Sequence, residues 1–371
     1  MSLGYSPIEA VQYIFSSKMK ITKRSTLLDL ARETGLSRAA VSYALNEHHS
    51  IPEITRQKVR EAADRLGYLP NAHAQNLASG RRGKTVDMFV MGLDSAIGSQ
   101  HALTIQWKLF NTGYKVPLHA FGFAFGKDEA QGKVSIVETV RGFRQNRSLA
   151  VVCALMPEGL PEATYDELNR YMDEGGIVVT YGCETKLSCD QAIFDAAAGI
   201  YIAARHLIDQ GHRDIGFSSF VAHDRANPWT LGFERALGES DIPVTTEWLV
   251  GASHFESGGA ELAQWFDQRK KSSLSCPTAL VVVNDAAASI FVSQLTQMGY
   301  KVPDDISVVG FDDLPVAQYG QVPLTTIHHP VVEIAGLVTE FIDSRVRGFS
   351  GAPRKQRVEM PLVQRQSVRT V

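Results

Sequence analysis

The ten residues from Ser37 to Asn46, Ser-Arg-Ala-Ala-Val-Ser-Tyr-Ala-Leu-Asn, carry a single charge, yet they sit in the most basic part of an acidic chain. Residues 1–84 hold 13 Lys and Arg against 7 Asp and Glu, a balance of +6; with −3 overall, residues 85–371 carry −9. A basic head on an acidic body points to a polyanionic partner. A second group able to do chemistry is Asn284, Asp285 and Asp312, which follow the apolar runs Ala279–Val283 and Ser307–Phe311. Polar side chains at the carboxyl ends of parallel strands line ligand crevices. Asp285 is equally placed to cap the helix that follows.

The elements that must position the first group are short helices. Thr26-Leu-Leu-Asp29 has the form of a capping box, and Leu27, Leu28, Leu30 and Ala31 follow with helical spacing until Gly35 stops the helix. Ser37 is a good N-cap for a second helix with Val41, Ala44 and Leu45 on its inner face, ending near Asn46. Pro52 fits the first turn of a third, in which Val59, Ala62, Ala63 and Leu66 recur at i, i+3, i+4 and i+7. Two helices joined through a glycine turn and covered by a third make a helix-turn-helix unit over residues 25–66. Residues 67–84 read as a hinge or linker. Within it, residues 71–78 form a helix too short to hold unaided.

From residue 85 onward, apolar runs alternate with longer amphipathic stretches: Val86–Met91, Leu149–Met156, Ile177–Tyr181, Ile215–Ser219, Ala279–Val283 and Ser307–Phe311. Strands buried on both faces and alternating with helices predict an α/β body of parallel sheets, and residues 85–371 suffice for two such lobes. Cys153, Cys183, Cys189 and Cys276 show no CxxC spacing and read as free thiols of a reducing compartment. No run of about 18 apolar residues spans a membrane, and the stretch from Ile8 to Phe15 is too short and polar for a signal-peptide core, so a cytoplasmic protein is expected. G-x-x-x-x-G-K-[ST], G-x-S-x-G and H-E-x-x-H are all absent, and the pairs His48-His49 and His328-His329 lack metal-ligand spacing. Neither an enzyme nor a cofactor or metal is expected.

Residues 26–46, TLLDLARETGLSRAAVSYALN, resemble the DNA-binding head of the lactose/galactose-repressor family of bacterial transcription regulators, whose pattern is T-x-x-D-x-A-x-x-x-G-V-S-x-x-T-V-S-R-x-L-N. The likeness continues through Thr55-Arg56, Val59 and LGYLPNAHAQNLASG. In the body it runs on through Gly211-His-Arg-Asp-Ile215, Gly232-Phe233, Asn284-Asp285, Ile306-Ser-Val-Val-Gly-Phe-Asp-Asp313, Leu324-Thr-Thr-Ile327 and Pro361-Leu-Val-Gln-Arg365. Residues 26 to about 367 are covered in order. Residues 1–24 lie outside the likeness. Ile8, Val11, Ile14 and Phe15 give them an amphipathic cast, and their role stays open.

The resemblance implies a regulator, a repressor, that binds double-stranded, pseudo-palindromic operator DNA as a homodimer or tetramer. It implies a two-lobed body like a periplasmic binding protein, holding a small effector, a sugar or related metabolite, between its lobes. The near-neutral helix then enters a major groove about 12 Å wide, where small residues permit close approach and neighbouring Lys and Arg hold phosphates. By family position Arg38 donates to guanine O6 and N7, Ala39 lies against a thymine methyl and Ser42 contacts the backbone, with Thr26, Ser37, Tyr43 and Asn46 also facing DNA. Leu77, flanked by Asn71 and Ala74, stands at the family's minor-groove wedge. Two departures from the pattern matter: Ala40 replaces Thr and Tyr43 replaces Arg. In the body, Asn284, Asp285 and Asp312 hold the family's effector positions. Trp229 stands where the family has an effector-clamping Arg, and Leu93-Asp-Ser-Ala-Ile-Gly-Ser99 lacks the usual Asn-Pro-Phe-Phe run. Either Trp229 stacks on a sugar or base face with Arg225 replacing the lost charge, or the cleft holds no effector of the usual kind.

Overall fold

The computed structural model describes residues 25–45, 48–68, 83–93, 95–121, 129–155, 159–219, 224–251 and 258–371. Expectations for residues 1–24, Asn46, Asn71, Ala74, Leu77 and the 71–78 helix fall outside them. The chain divides into two compact units, Met1–Gly80 and Arg81–Val371.

The head is three helices: α1 (Leu27–Thr34), α2 (Arg38–Leu45) and α3 (Glu53–Leu66). Thr26 closes the capping box on α1: its hydroxyl accepts from the Asp29 amide and donates to the Asp29 carboxylate, which also receives the Thr26 N–H at 2.8 Å. Gly35 ends that helix at φ 72°, a left-handed conformation where a side chain would be strained. The Ser37 hydroxyl accepts from the Ala40 amide at 3.1 Å and caps α2. Pro52 proves to be the residue before α3 rather than part of its first turn, its ring still compatible with helix entry. Leu30, Val41, Ala44, Val59 and Ala62 meet in the small core, with Leu27, Leu45 and Leu66 packed against it.

The body holds two lobes with a parallel sheet each. In the first, strands run in the order β11-β5-β4-β3-β1-β2, with β1 Val86–Met91, β2 Leu118–Phe121, β3 Ala150–Leu155, β4 Ile177–Gly182, β5 Asp190–Phe194 and β11 Lys355–Val358. The second has the order β7-β6-β8-β9, from β6 Ile215–Ser219, β7 Leu249–Gly251, β8 Ala279–Val282 and β9 Ser307–Val309. A short antiparallel pair, β10 (Thr326–Ile327) with β12 (Leu362–Val363), completes it. Alternation within a strand explains the unbroken apolar runs: Met88 and Val90 face one core of the first lobe, while Phe89 and Met91 face the other.

Helices α4 (Ala96–Asn111), α5 (Glu129–Gln145), α6 (Glu162–Asp173) and α12 (Val331–Val346) serve the first lobe; α7 (Ala196–Asp209), α8 (Pro228–Gly238), α9 (Gly258–Lys271), α10 (Asp285–Gln297) and α11 (Pro315–Tyr319) serve the second. The chain passes between lobes from β5 to α7, from β10 to α12 and from β11 to β12. All four cysteines are free thiols. No helix among the described residues is long and apolar enough to cross a membrane.

Candidate nucleic-acid interface and interlobe cavity

Helix α2 has two faces. Val41 and Ala44 are buried; Ser37, Arg38, Ala39 and Tyr43 are exposed, with Ser42 half-buried between them. Thr26 is exposed too, its hydroxyl engaged with Asp29. Tyr43 stacks on His48 with ring centres 4.9 Å apart, and His48 stacks on His49 at 4.4 Å. The Tyr43 carbonyl accepts the His48 amide at 2.9 Å, and a ring nitrogen of His48 lies 2.8 Å from the Ser50 hydroxyl. A ledge of three stacked rings, exposed at Tyr43, His48 and His49, therefore adjoins the exposed side of α2.

In the body, a cavity of about 90 Å³ lies at the carboxyl ends of the strands, where open parallel sheets bind ligands. The first lobe contributes Met91, Leu155 and Tyr181 from β1, β3 and β4, together with the start of α4; Trp229, Val283, Phe311 and Asp312 come from the second. Ser95 caps α4, accepting the Gly98 amide at 3.1 Å and donating to the Gly92 carbonyl at 2.8 Å. Asn227 caps α8 by accepting the Trp229 amide at 3.0 Å, which fixes the indole's backbone at the helix start. Asp312 holds a left-handed φ of 110°, and its amide donates to the Ile327 carbonyl at 2.9 Å.

Three expected effector residues are placed elsewhere. Asn284 is buried as the N-cap of α10, its side chain accepting the Ala287 amide at 2.7 Å. Asp285 is neither the cap nor a cavity residue: fully buried, it accepts the Leu314 amide at 2.8 Å and the Thr326 hydroxyl at 2.7 Å, bracing β10 and α11 against α10. Burial raises its pKa to about 7 in spite of those two bonds. Arg225 is exposed and ion-paired with Glu234, away from the cavity lining. Of the expected set, Trp229 and Asp312 line the cavity.

Two histidines complete the lining. His101 on α4 and His329 in the β10–α12 connection are buried, with their ring nitrogens 2.8 Å apart. Phe194, at the β5–α7 connection, packs 5.5 Å from His101 and 4.3 Å from His329. Burial lowers the His101 pKa to about 4 and holds His329 well below the usual imidazole range, so both rings are neutral at pH 7. No cluster of His, Cys, Asp and Glu among the described residues could hold a metal.

Residues 26–71 match the family model of bacterial regulatory proteins of the lacI family, and residues 204–368 match the periplasmic binding protein-like domain. The HTH-type transcriptional repressor PurR of Vibrio parahaemolyticus serotype O3:K6 is 30% identical over 351 residues, covering 93% of this chain and 99% of its own. The chain belongs to the lacI family of bacterial regulatory proteins. PurR of Yersinia pestis bv. Antiqua is 29% identical over 93% of this chain and 97% of its own. In fold, the chain is similar to a lac repressor dimer bound to operator and the anti-inducer ONPF (TM-score 0.71, 22% identity, 94% of this chain and 100% of that one). It is also similar to a transcriptional regulator CelR–cellobiose complex (TM-score 0.62, 21% identity, 93% and 100%).

As a lacI-family member the chain is a DNA-binding transcriptional regulator with an effector-binding body. Sequence reasoning missed the Tyr43–His48–His49 ledge and the His101–His329 pair. The ledge depends on the turn after α2, which brings His48 back over Tyr43. The histidine pair joins residues 228 positions apart. The local signal was one polar residue, His101, on an otherwise apolar helix face with Ala102, Ile105 and Leu109.

Proposed function

We propose that this lacI-family regulator is a cytoplasmic, non-enzymatic repressor that docks α2 of each protomer in the major groove of a pseudo-palindromic operator, and that a small molecule in the interlobe cavity sets its operator affinity. The observation that carries the reading is the two-faced α2, with Val41 and Ala44 inward and Arg38, Ala39 and Tyr43 outward. Arg38 donates to guanine O6 and N7, and Ala39 meets a thymine methyl. Ser42 and the helix starts at Thr26 and Ser37 take up phosphates, where unpaired amides favour an anion. Tyr43 reaches DNA through its hydroxyl or ring, and Asn46, outside the described residues, is a further DNA contact. Outside the described residues, Leu77 with Asn71 and Ala74 forms the minor-groove wedge.

Dimer formation is supported by α4, on which Leu103, Trp107 and Phe110 are 56%, 69% and 65% exposed. Their spacing of four and three puts them on one helical face, a contiguous apolar strip suited to a second copy of the chain.

The test is Arg38→Ala on an operator selected by the wild-type protein. The expected result is a loss of roughly 1–3 kcal/mol and relaxed selectivity at one symmetric pair of positions. Equal loss on every sequence would make Arg38 a phosphate contact and sink the base-reading role.

A further inference from the structure

The cavity's chemistry narrows what it holds. Its walls are apolar and aromatic, chiefly Met91, Ile97, Leu155, Trp229, Val283 and Phe311, and among the described residues no Lys or Arg lines it. The polar groups around it are mostly spent. Ser95 both donates and accepts within the start of α4, and His101 and His329 each commit a ring nitrogen to the other. Asn284 and Asp285 are bound to backbone and Thr326, and Arg225 to Glu234. Nδ1 of His101 is buried without a hydrogen-bond partner among the described residues, and the phenol of Tyr181, a side chain only 5% exposed, and Nε2 of His329 make no hydrogen bond to them. The rings of Tyr181 and His101 are stacked with their centres 5.7 Å apart.

A sugar presents hydroxyls on every side, and each one buried without a partner carries a desolvation penalty. An organic anion would need a cation, and the charged residue that does line the cavity is Asp312. A flat ring meets neither obstacle: it stacks on Trp229 and Phe311 and needs a polar partner only where its edge meets Tyr181.

Resting on the reading that this cavity holds the effector, we propose that the effector is an uncharged, flat aromatic molecule of low polarity. It carries a single hydroxyl or carbonyl at its edge that pairs with the phenol of Tyr181.

The experiment titrates the purified full chain by calorimetry with 2-naphthol, with 2-naphthoate (the same rings carrying a charge), with ribose and with hypoxanthine. Retention on DNA at graded salt is measured on the same preparation. Expected is binding of 2-naphthol at least about tenfold tighter than of the other three, tenfold being a difference that calorimetry separates plainly. Tyr181→Phe removes one oxygen that makes no hydrogen bond to the described residues. It should weaken 2-naphthol several-fold while leaving the ligand-free melting temperature unchanged, and Trp229→Ala should weaken it further. Tighter binding of ribose or hypoxanthine overturns the ligand class and leaves the effector reading standing. Binding of 2-naphthol that ignores both substitutions places it elsewhere and also overturns the proposal. No binding by any of the four, with DNA retention intact, removes the effector from the cavity and the proposal with it.

Discussion

In the head, Arg38, Ala39, Ser42 and Tyr43, the side chains proposed to enter the groove, come from the single helix α2, whereas the cavity draws its lining from β1, β3, β4, α4, α8, the loops after β8 and β9, and two interlobe connections. The head's local chemistry is the one its sequence reads directly: the Thr26–Asp29 capping box, Gly35 at positive φ, and Ser37 as N-cap. The cavity follows less simply, with Trp229 and Asp312 in its lining while Asn284 and Asp285 are hydrogen-bonded in the packing around α10. A surface that reads a regular polymer is fixed by helix geometry, so its residues keep their places in sequence. A small-molecule site is an intersection of many segments, and each can change side chain without disturbing the others.

The largest effect that tests this division is Leu30→Ala. Leu30 is fully buried at the centre of the seven-residue head core, where such a truncation typically costs 2–5 kcal/mol, much of a small unit's stability. Operator binding should collapse while ligand binding by the body persists. Calorimetric loss of both together would show that head and body do not act as separable units.

The acid response belongs to the cavity. His101 has a folded pKa of about 4, below its unfolded value near 6.5. Between those values the unfolded chain binds the extra proton, so stability is full above about pH 6.5 and falls as pH drops toward 4, by on the order of 3 kcal/mol. Asp285 acts oppositely, because its raised pKa of about 7 gives stability that is lost as pH rises from about 4 through 7. Urea melts of wild type and His101→Gln across pH 4–7 separate the two, since the difference between them reports the coupled pair His101–His329 and not Asp285. A pH-independent difference would contradict the buried neutral imidazole.

Asn284→Ala decides whether the third polar position serves structure or ligand. As the N-cap of α10, Asn284 should cost about 0.5–2 kcal/mol of stability on truncation, with ligand affinity unaltered. An affinity loss at unchanged melting temperature would return Asn284 to the cavity.

How much of this was legible follows the same division. The three head helices and the strands β1, β3, β4, β6, β8 and β9 were readable because one periodicity or one buried run specifies each. The edge strands β2 and β11 were not: Leu118–Phe121 is half exposed and Lys355-Gln-Arg-Val358 is largely polar, so their pairing is imposed by neighbours rather than by composition. At the cavity, Asp312 stood out because it follows an apolar strand, and Trp229 because it stands where the resembled family has an arginine. Tyr181 looked like one more residue of a buried strand, and only its polarity on an apolar helix face marked His101, because their ring contact joins residues 80 positions apart in the chain. Asn284 and Asp285 misled for a related reason. The carboxyl end of a strand is also the start of the next helix, and cap and ligand call for the same side chains.

The smallest effect concerns the one exposed position where the head itself departs from its family. Tyr43 is half exposed and stacked on His48, so it presents a ring where an arginine would present a charge. Tyr43→Arg adds a cation at that place without removing a core contact, so the fold and melting temperature should hold. If the position faces the phosphate backbone, each protomer gains about one counterion-releasing contact. Affinity should then rise across all sequences, and the slope of log K against log salt should steepen by about one per protomer. Specificity should change little, because a phosphate contact carries no sequence information. Binding isotherms at four or five salt concentrations, on the selected operator and on a scrambled duplex, measure both quantities. A steeper slope on both duplexes places Tyr43 at the DNA backbone. A gain confined to the operator makes position 43 a base-reading site, with the ledge of Tyr43, His48 and His49 as part of what this chain reads. An unchanged slope with unchanged affinity puts the ledge off the DNA, and shrinks the reading surface of α2 to Arg38, Ala39 and Ser42.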